Sequence, residues 1–180
     1  MTSGSTLALA GAVGGAGTTR TTVEFGATLA RAGRDVALLD AAFATQGLAA
    51  HVPGRIDPDV TALCTGRGGL RDGLVALGLD TPGRLAACPA RAPFERLARA
   101  KTPDAARRFE EVLDSAAARF DHVLVDTPPV AANQAIAAVT SADRVALVAP
   151  ASERGLDRLP TMRDRLHDLD VPVDAVIGTR

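Results

Sequence analysis

The chain has no tryptophan and no tyrosine, and aromatic residues make up only 3% of its 180 residues. Its core must therefore be built from Ala, Val and Leu packed closely between layers. Cysteine is scarce, and Cys64 and Cys88 fall into no motif. They read as small buried apolar residues, and no disulfide is expected without a secretory signal. Excess charge is missing as well: the net charge is -1, which excludes a general pull towards nucleic acid or anionic membrane. Lys101 is the only lysine, so arginine supplies nearly all of the positive charge. Met1 to Gly17 is apolar, but it is too short and too glycine-rich to span a bilayer and lacks the basic start of a signal peptide. A cytoplasmic location is the resulting expectation. His51, His122 and His167 are scattered without ligand spacing and read as surface or packing residues.

Hydrophobic residues are 47% of the chain and charged residues 23%, ordinary values for a globular protein. Apolar runs of strand length recur at Thr6–Val13, Val36–Leu39, Arg84–Ala87, His122–Val125, Val145–Val148 and Val173–Ile177. They are continuous rather than alternating, which suggests strands buried on both faces. Helical patterns separate them: Thr18–Ala32, Val60–Thr65, Leu70–Leu77, Pro103–Phe120, Ala131–Val139 and Gly155–Leu169. Gly33 stops the first, and Thr102 with Pro103 opens the fourth. Pro160 is expected to kink the last helix or delay its start. Alternation of this kind predicts an α/β fold: a doubly wound, mostly parallel sheet flanked by helices, in a single domain over residues 1–180. Gly47 to Pro58 is the least regular stretch.

In such sheets ligands bind at the carboxyl ends of strands, and three features fall there. Asp40 ends the second strand and Asp126 the fourth. Gly14 to Thr22, reading G-G-A-G-T-T-R-T-T, links the first strand to a helix. Glycines let a backbone wrap an anion, and a helix N-terminus offers free N–H groups with partial positive charge. The bland reading of Thr18, Thr19, Thr21 and Thr22 is that they cap the helix; Asp40 and Asp126 would then cap turns. A dinucleotide site of the Rossmann kind is a rival, but G-x-G-x-x-G is not met, because the sixth position from Gly15 is Arg20.

The string from Gly14 to Ala30 resembles the deviant P-loop of the ParA/MinD family of ATPases, which reads K-G-G-x-G-K-T-T. Gly33–Asp40 (G-R-D-V-A-L-L-D) is similar to that family's second strand, Phe120–Pro129 (F-D-H-V-L-V-D-T-P-P) to its Walker B region, and Ala142–Pro150 to its fifth strand. The resemblance implies a P-loop NTPase fold, shortened at the C-terminus, that binds ATP and Mg²⁺. Gly14, Gly15, Ala16 and Gly17 would cradle phosphates through backbone N–H groups, with Thr18 and Arg20 also in the nucleotide site. Thr19 matches the hydroxyl on Mg²⁺, and Asp126 the acid that orders the metal's water shell. Asp40 matches the first acid of the family's D-x-D and is the one catalytic candidate.

The chain departs from that pattern at decisive places. Val13 stands where the family has its signature lysine, Thr18 replaces the P-loop lysine, and Ala42 replaces the second acid of D-x-D. Thr179 lies near the asparagine that reads adenine. Phosphoryl transfer depends on positioning and on neutralising charge at the γ-phosphate. The expectation is therefore a positioning, partitioning or regulatory switch, of the kind used in cell division and chromosome partitioning, with weak or absent hydrolysis. A homodimer and a protein or non-specific DNA partner are the associations the resemblance implies. Arg91 to Arg108, rich in arginine, reads as a solvated face or as a patch for such a partner. The alternative is a scaffold that no longer binds nucleotide. Arg20 is the candidate to compensate for a missing lysine, because a guanidinium is planar and permanently charged.

Overall fold

Continuous apolar runs become parallel strands when both faces of a sheet are covered, and this is what the chain does. The computed structural model describes residues 4–180. Its strands are β1 (Ser5–Gly11), β2 (Val36–Asp40), β3 (Val75–Ala76), β4 (Leu85–Cys88), β5 (His122–Thr127), β6 (Arg144–Pro150) and β7 (Ala175–Thr179). They form one sheet in the order β3-β4-β2-β5-β1-β6-β7, antiparallel only at the β3–β4 pair. The helices are α1 (Thr18–Arg31), α2 (Val60–Cys64), α3 (Leu70–Gly73), α4 (Phe94–Arg99), α5 (Pro103–Ala117), α6 (Asn133–Ser141) and α7 (Glu153–His167).

Side chains alternate between two cores because successive residues of a strand point to opposite faces. In β2, Val36 and Leu38 face one core, whereas Ala37 and Leu39 face the other. The first core is sealed largely by α1 through Ala27 and Ala30. Gly26 lets that helix lie close, since a Cβ there would come within 2.7 Å of Leu38. The second core collects Phe109 and Leu113 of α5, Ala137 and Ala138 of α6, and Met162 and Leu166 of α7. Phe43 and Phe109 pack edge to face there with ring centroids 6.1 Å apart. β2 is fully buried and β5 is buried from Val123 onward, whereas β7 at the edge keeps Val176 52% exposed.

Several boundaries differ from the sequence expectation. Leu70–Leu77 is not one helix: α3 ends at Gly73, and Val75–Ala76 forms the antiparallel edge strand β3. The weak run at Arg84–Ala87 is strand β4, one residue later. Phe94–Arg99 forms an additional helix, α4. Pro160 does not delay α7, which starts at Glu153 and runs through it, with Ser152 accepting the capping bond from the Gly155 N–H. The C-terminal strand is shifted two residues, to Ala175–Thr179. Within the irregular stretch, Gly47–His51 winds into a short 3-10 turn. Among the described residues, no helix is long and apolar enough to cross a membrane.

Candidate functional site

The carboxyl ends of β1, β2 and β5 lie side by side, so the segments that follow them share one cleft. Ala10 of β1 pairs with Thr127 of β5, and Asp40 of β2 pairs with Asp126 of β5. The cleft holds about 390 Å³ and is lined by the loop from Val13 to Arg20, by Ala42 and His51, and by Asp126 to Pro129. The structure thus brings together Gly14, Gly15, Ala16, Gly17, Thr18, Thr19, Arg20 and Asp126, with Asp40 buried immediately behind them.

The loop is shaped for an anion. Gly15 and Gly17 take φ of 76° and 81°, a left-handed conformation that favours glycine. Gly17 is also the residue before α1, and no side chain caps that helix. From Val13 to Arg20 only the Ala16 N–H finds an acceptor among the described residues, the Val13 carbonyl at 3.3 Å. The others are left free at the positive end of a helix dipole. The threonines do not consume them. Thr21 and Thr22 donate their hydroxyls back to the carbonyls of Gly17 and Thr18, at 3.0 and 2.9 Å. The capping alternative therefore fails for this helix.

The acids behave differently from each other. Asp126 is 1% exposed, and its Oδ2 has no hydrogen-bond partner. Burial raises its pKa to about 6, against the lowering influence of the Thr19 hydroxyl and of His51. An orphaned carboxylate oxygen beside a threonine hydroxyl is a hard-oxygen donor set, which suits Mg²⁺ completed by water and phosphate oxygens. Asp40 is fully buried and fully engaged: Oδ1 accepts from the Ala42 N–H at 2.8 Å and Oδ2 from the Ala90 N–H at 3.1 Å. Desolvation, then repulsion from Asp126, pushes its pKa up to about 8 despite those two bonds. Its carboxylate ties the ends of β2 and β4 together.

Other residues fall where the sequence reading did not put them. His51, read as a surface or packing residue, reaches the cleft wall on the 3-10 turn and acts on Asp126. Only the turn, which periodicity does not reveal, brings it there. Thr179 donates to the Ala16 carbonyl at 2.7 Å and so braces the loop. Arg20 is exposed at the cleft's edge and shares a neighbouring groove with Thr179 and Arg180. Within the arginine-rich stretch Arg96 pairs with buried Asp59 at 3.2 Å, Arg99 with Glu95, and Arg107 with Asp104, whereas Arg91 and Arg108 make no ion pair among the described residues. Lys101 sits in the turn between α4 and α5, away from the cleft.

Comparison with solved structures places this arrangement. The septum site-determining protein MinD of Pyrococcus horikoshii, solved with Mg-ADP, superposes with a TM-score of 0.82 at 19% identity, over 96% of this chain and 68% of that one. The fold is the P-loop NTPase fold of MinD. An aspartate-to-alanine variant of Cyanothece McdA in its ATP complex gives a TM-score of 0.77 at 21% identity, over 99% of this chain and 70% of the other. Cobyrinic acid a,c-diamide synthase of Mycobacterium smegmatis, bound to an ATP analogue and magnesium, gives 0.74 at 21%, over 97% and 70%. No family model matches the chain, and no curated protein matches it by sequence. At these identities the likeness establishes the fold.

Proposed function

We propose that the chain is a ParA/MinD-like nucleotide-binding protein that holds ATP with Mg²⁺ on the Gly14–Arg20 loop and hydrolyses it very slowly or not at all. The observation that carries this reading is the row of free loop N–H groups in the same cleft as Asp126, whose Oδ2 is unpartnered among the described residues. Such a row has no partner among the described residues, and a phosphate chain satisfies it. Thr19 and Asp126 are the residues that would hold the metal, Asp126 through its water shell. Magnesium there would neutralise phosphate charge that the loop, lacking lysine, meets with amides and with Arg20 at its edge.

The same geometry argues against turnover. Thr18 stands where a lysine would reach the outer phosphates, and it places its hydroxyl against the end of β1 near Gly11. Asp40, the sequence candidate for catalysis, has both oxygens committed to backbone amides, so we assign it a structural role. Ala42 offers no acid at the cleft wall. Function then rests on which nucleotide is held, as in a positioning or regulatory switch working in the cytoplasm, with a second copy or a protein partner reading the state.

Calorimetric titration with Mg-ATP tests the reading, repeated with Thr19→Ala and Asp126→Ala. Saturable binding weakened in both variants supports a working site. The absence of heat with any nucleotide favours the second reading, a scaffold without ligand, for which the missing lysines and the committed Asp40 speak.

A further inference from the structure

A second groove opens beside the loop, and its charge has no acidic partner among the described residues. It holds about 260 Å³ and is walled on one side by Val13, Gly14 and Pro129, all three shared with the loop cleft, and on the other by α7. Arg154, Arg158 and Arg165 of α7 all line it. Their spacings of four and seven residues put them on one stripe of the helix. None of the three makes an ion pair among the described residues, although Glu153, Asp157 and Asp164 share the helix. This contrasts with Arg96, Arg99 and Arg107, each of which has an acidic partner. Arg165 is steadied by donating to the Val130 carbonyl at 3.1 Å, which ties α7 to the segment following β5. Among the described residues Arg154 and Arg158 have no side-chain ion pair.

Three like charges along one stripe repel one another unless an anion lies between them and the opposite wall. That wall supplies the free N–H groups of Val13 and Gly14. The two cavities meet at these residues, so a phosphate chain held by the loop has a continuous path into the arginine groove. We propose that Arg154 and Arg158 bind the terminal phosphate of a nucleoside triphosphate in the same chain, supplying from α7 the positive charge that the loop lacks. The inference rests on the nucleotide-binding reading above. It makes the groove the part of the site that tells a triphosphate from a diphosphate. Guanidinium groups suit this role because they meet phosphate oxygens in a planar, bidentate way.

The experiment is calorimetric titration of the whole chain with Mg-ATP and separately with Mg-ADP. The unmodified protein, the double variant Arg154→Gln/Arg158→Gln and the variant Arg163→Gln are compared. Arg163 is exposed and lies outside the groove, so it controls for loss of helix charge. All three sites tolerate glutamine because they are exposed helix positions, and thermal melts verify the fold. The unmodified protein is expected to bind ATP about tenfold more tightly than ADP, a modest ratio because these guanidinium groups are solvated. The double variant should bring the ratio close to one while ADP affinity stays unchanged, and Arg163→Gln should leave both intact. An unchanged ratio in the double variant overturns the proposal, as does an equal loss of ATP and ADP binding. Equal affinities in the unmodified protein overturn it too, while leaving the nucleotide reading in place. Absence of binding for both nucleotides in the unmodified protein overturns the nucleotide reading itself.

Discussion

The glycine loop and the end of β2 face each other across one cleft, and they are finished in opposite ways. In the loop nearly every backbone N–H is unspent, the helix behind it is uncapped, and the adjacent Asp126 keeps one carboxylate oxygen without a partner. At the end of β2 the side chain is spent: Asp40 accepts from Ala42 and Ala90, and the Ala41 N–H donates to the Asp126 carbonyl at 2.9 Å. Unsatisfied buried polar groups are costly and persist where a ligand completes them. A satisfied end is what a structural corner requires. The difference separates holding a phosphate from attacking it, and each half can be tested alone.

The largest effect concerns turnover. Enzymes of ordinary speed reach roughly 10 s⁻¹, and the loss of a charge-neutralising group in related chemistry costs roughly 10³–10⁵ in rate. Phosphate release from Mg-ATP should therefore fall at least about a thousandfold short of that speed. Release at several molecules per second would break the comparison at the β2 end. Thr18→Lys should raise the rate, because it restores a cation to a loop that already binds.

Next in size is the metal. Asp126→Asn should weaken Mg-ATP binding by roughly 10–100-fold, the usual cost of losing a group that orients a metal's shell. Affinity of the unmodified protein should also rise with pH through about 6, as Asp126 becomes a carboxylate. A pH-independent affinity between pH 5 and 7 would show that Asp126 takes no part. The same substitution should raise the melting temperature at pH 7. The reason is that the folded state raises this acid's pKa, so its ionised form is disfavoured once the pH exceeds that value.

Much of this was legible in the residues, and the illegible part has physical causes. Apolar runs buried on both faces declared the parallel sheet, and the loop stands out because glycine and threonine cluster between a strand and a helix. Asp126 could be placed because it ends such a run. What could not be read was which polar groups would be spent. Asp40 and Asp126 look alike in sequence, yet a neighbour fifty residues away, Ala90, occupies the oxygen that would have faced the cleft. His51 lies on a turn without periodicity. β3 was hidden because a strand of two residues leaves no pattern.

Asp40 gives a smaller and purely structural test. Its folded pKa of about 8 lies above its ordinary value near 4, so the folded state binds the proton more tightly. Stability should fall as pH rises from about 4 towards 8, and level off above that range. Asp40→Asn should flatten this slope while leaving nucleotide affinity within about twofold, since the side chain braces strands rather than touching ligand. Melting curves across the range check the first claim. A loss of ATP binding as large as that of Asp126→Asn would return Asp40 to the site and erase the contrast between the two ends.

The smallest effect belongs to Arg20. It is exposed on the first turn of α1, has no acidic partner among the described residues, and borders both the loop cleft and the groove shared with Thr179 and Arg180. It does not line the groove of the α7 arginines, so its expected partners are the phosphates nearer the loop. A solvated guanidinium contributes up to about 1 kcal/mol to such a contact. Arg20→Gln should therefore weaken Mg-ATP and Mg-ADP binding equally, by about threefold, with the loss shrinking as salt is raised. Equal loss for both nucleotides places Arg20 on phosphates that ADP retains. A loss confined to ATP would move it to the outer phosphate and remove the division of labour between the loop's two flanks.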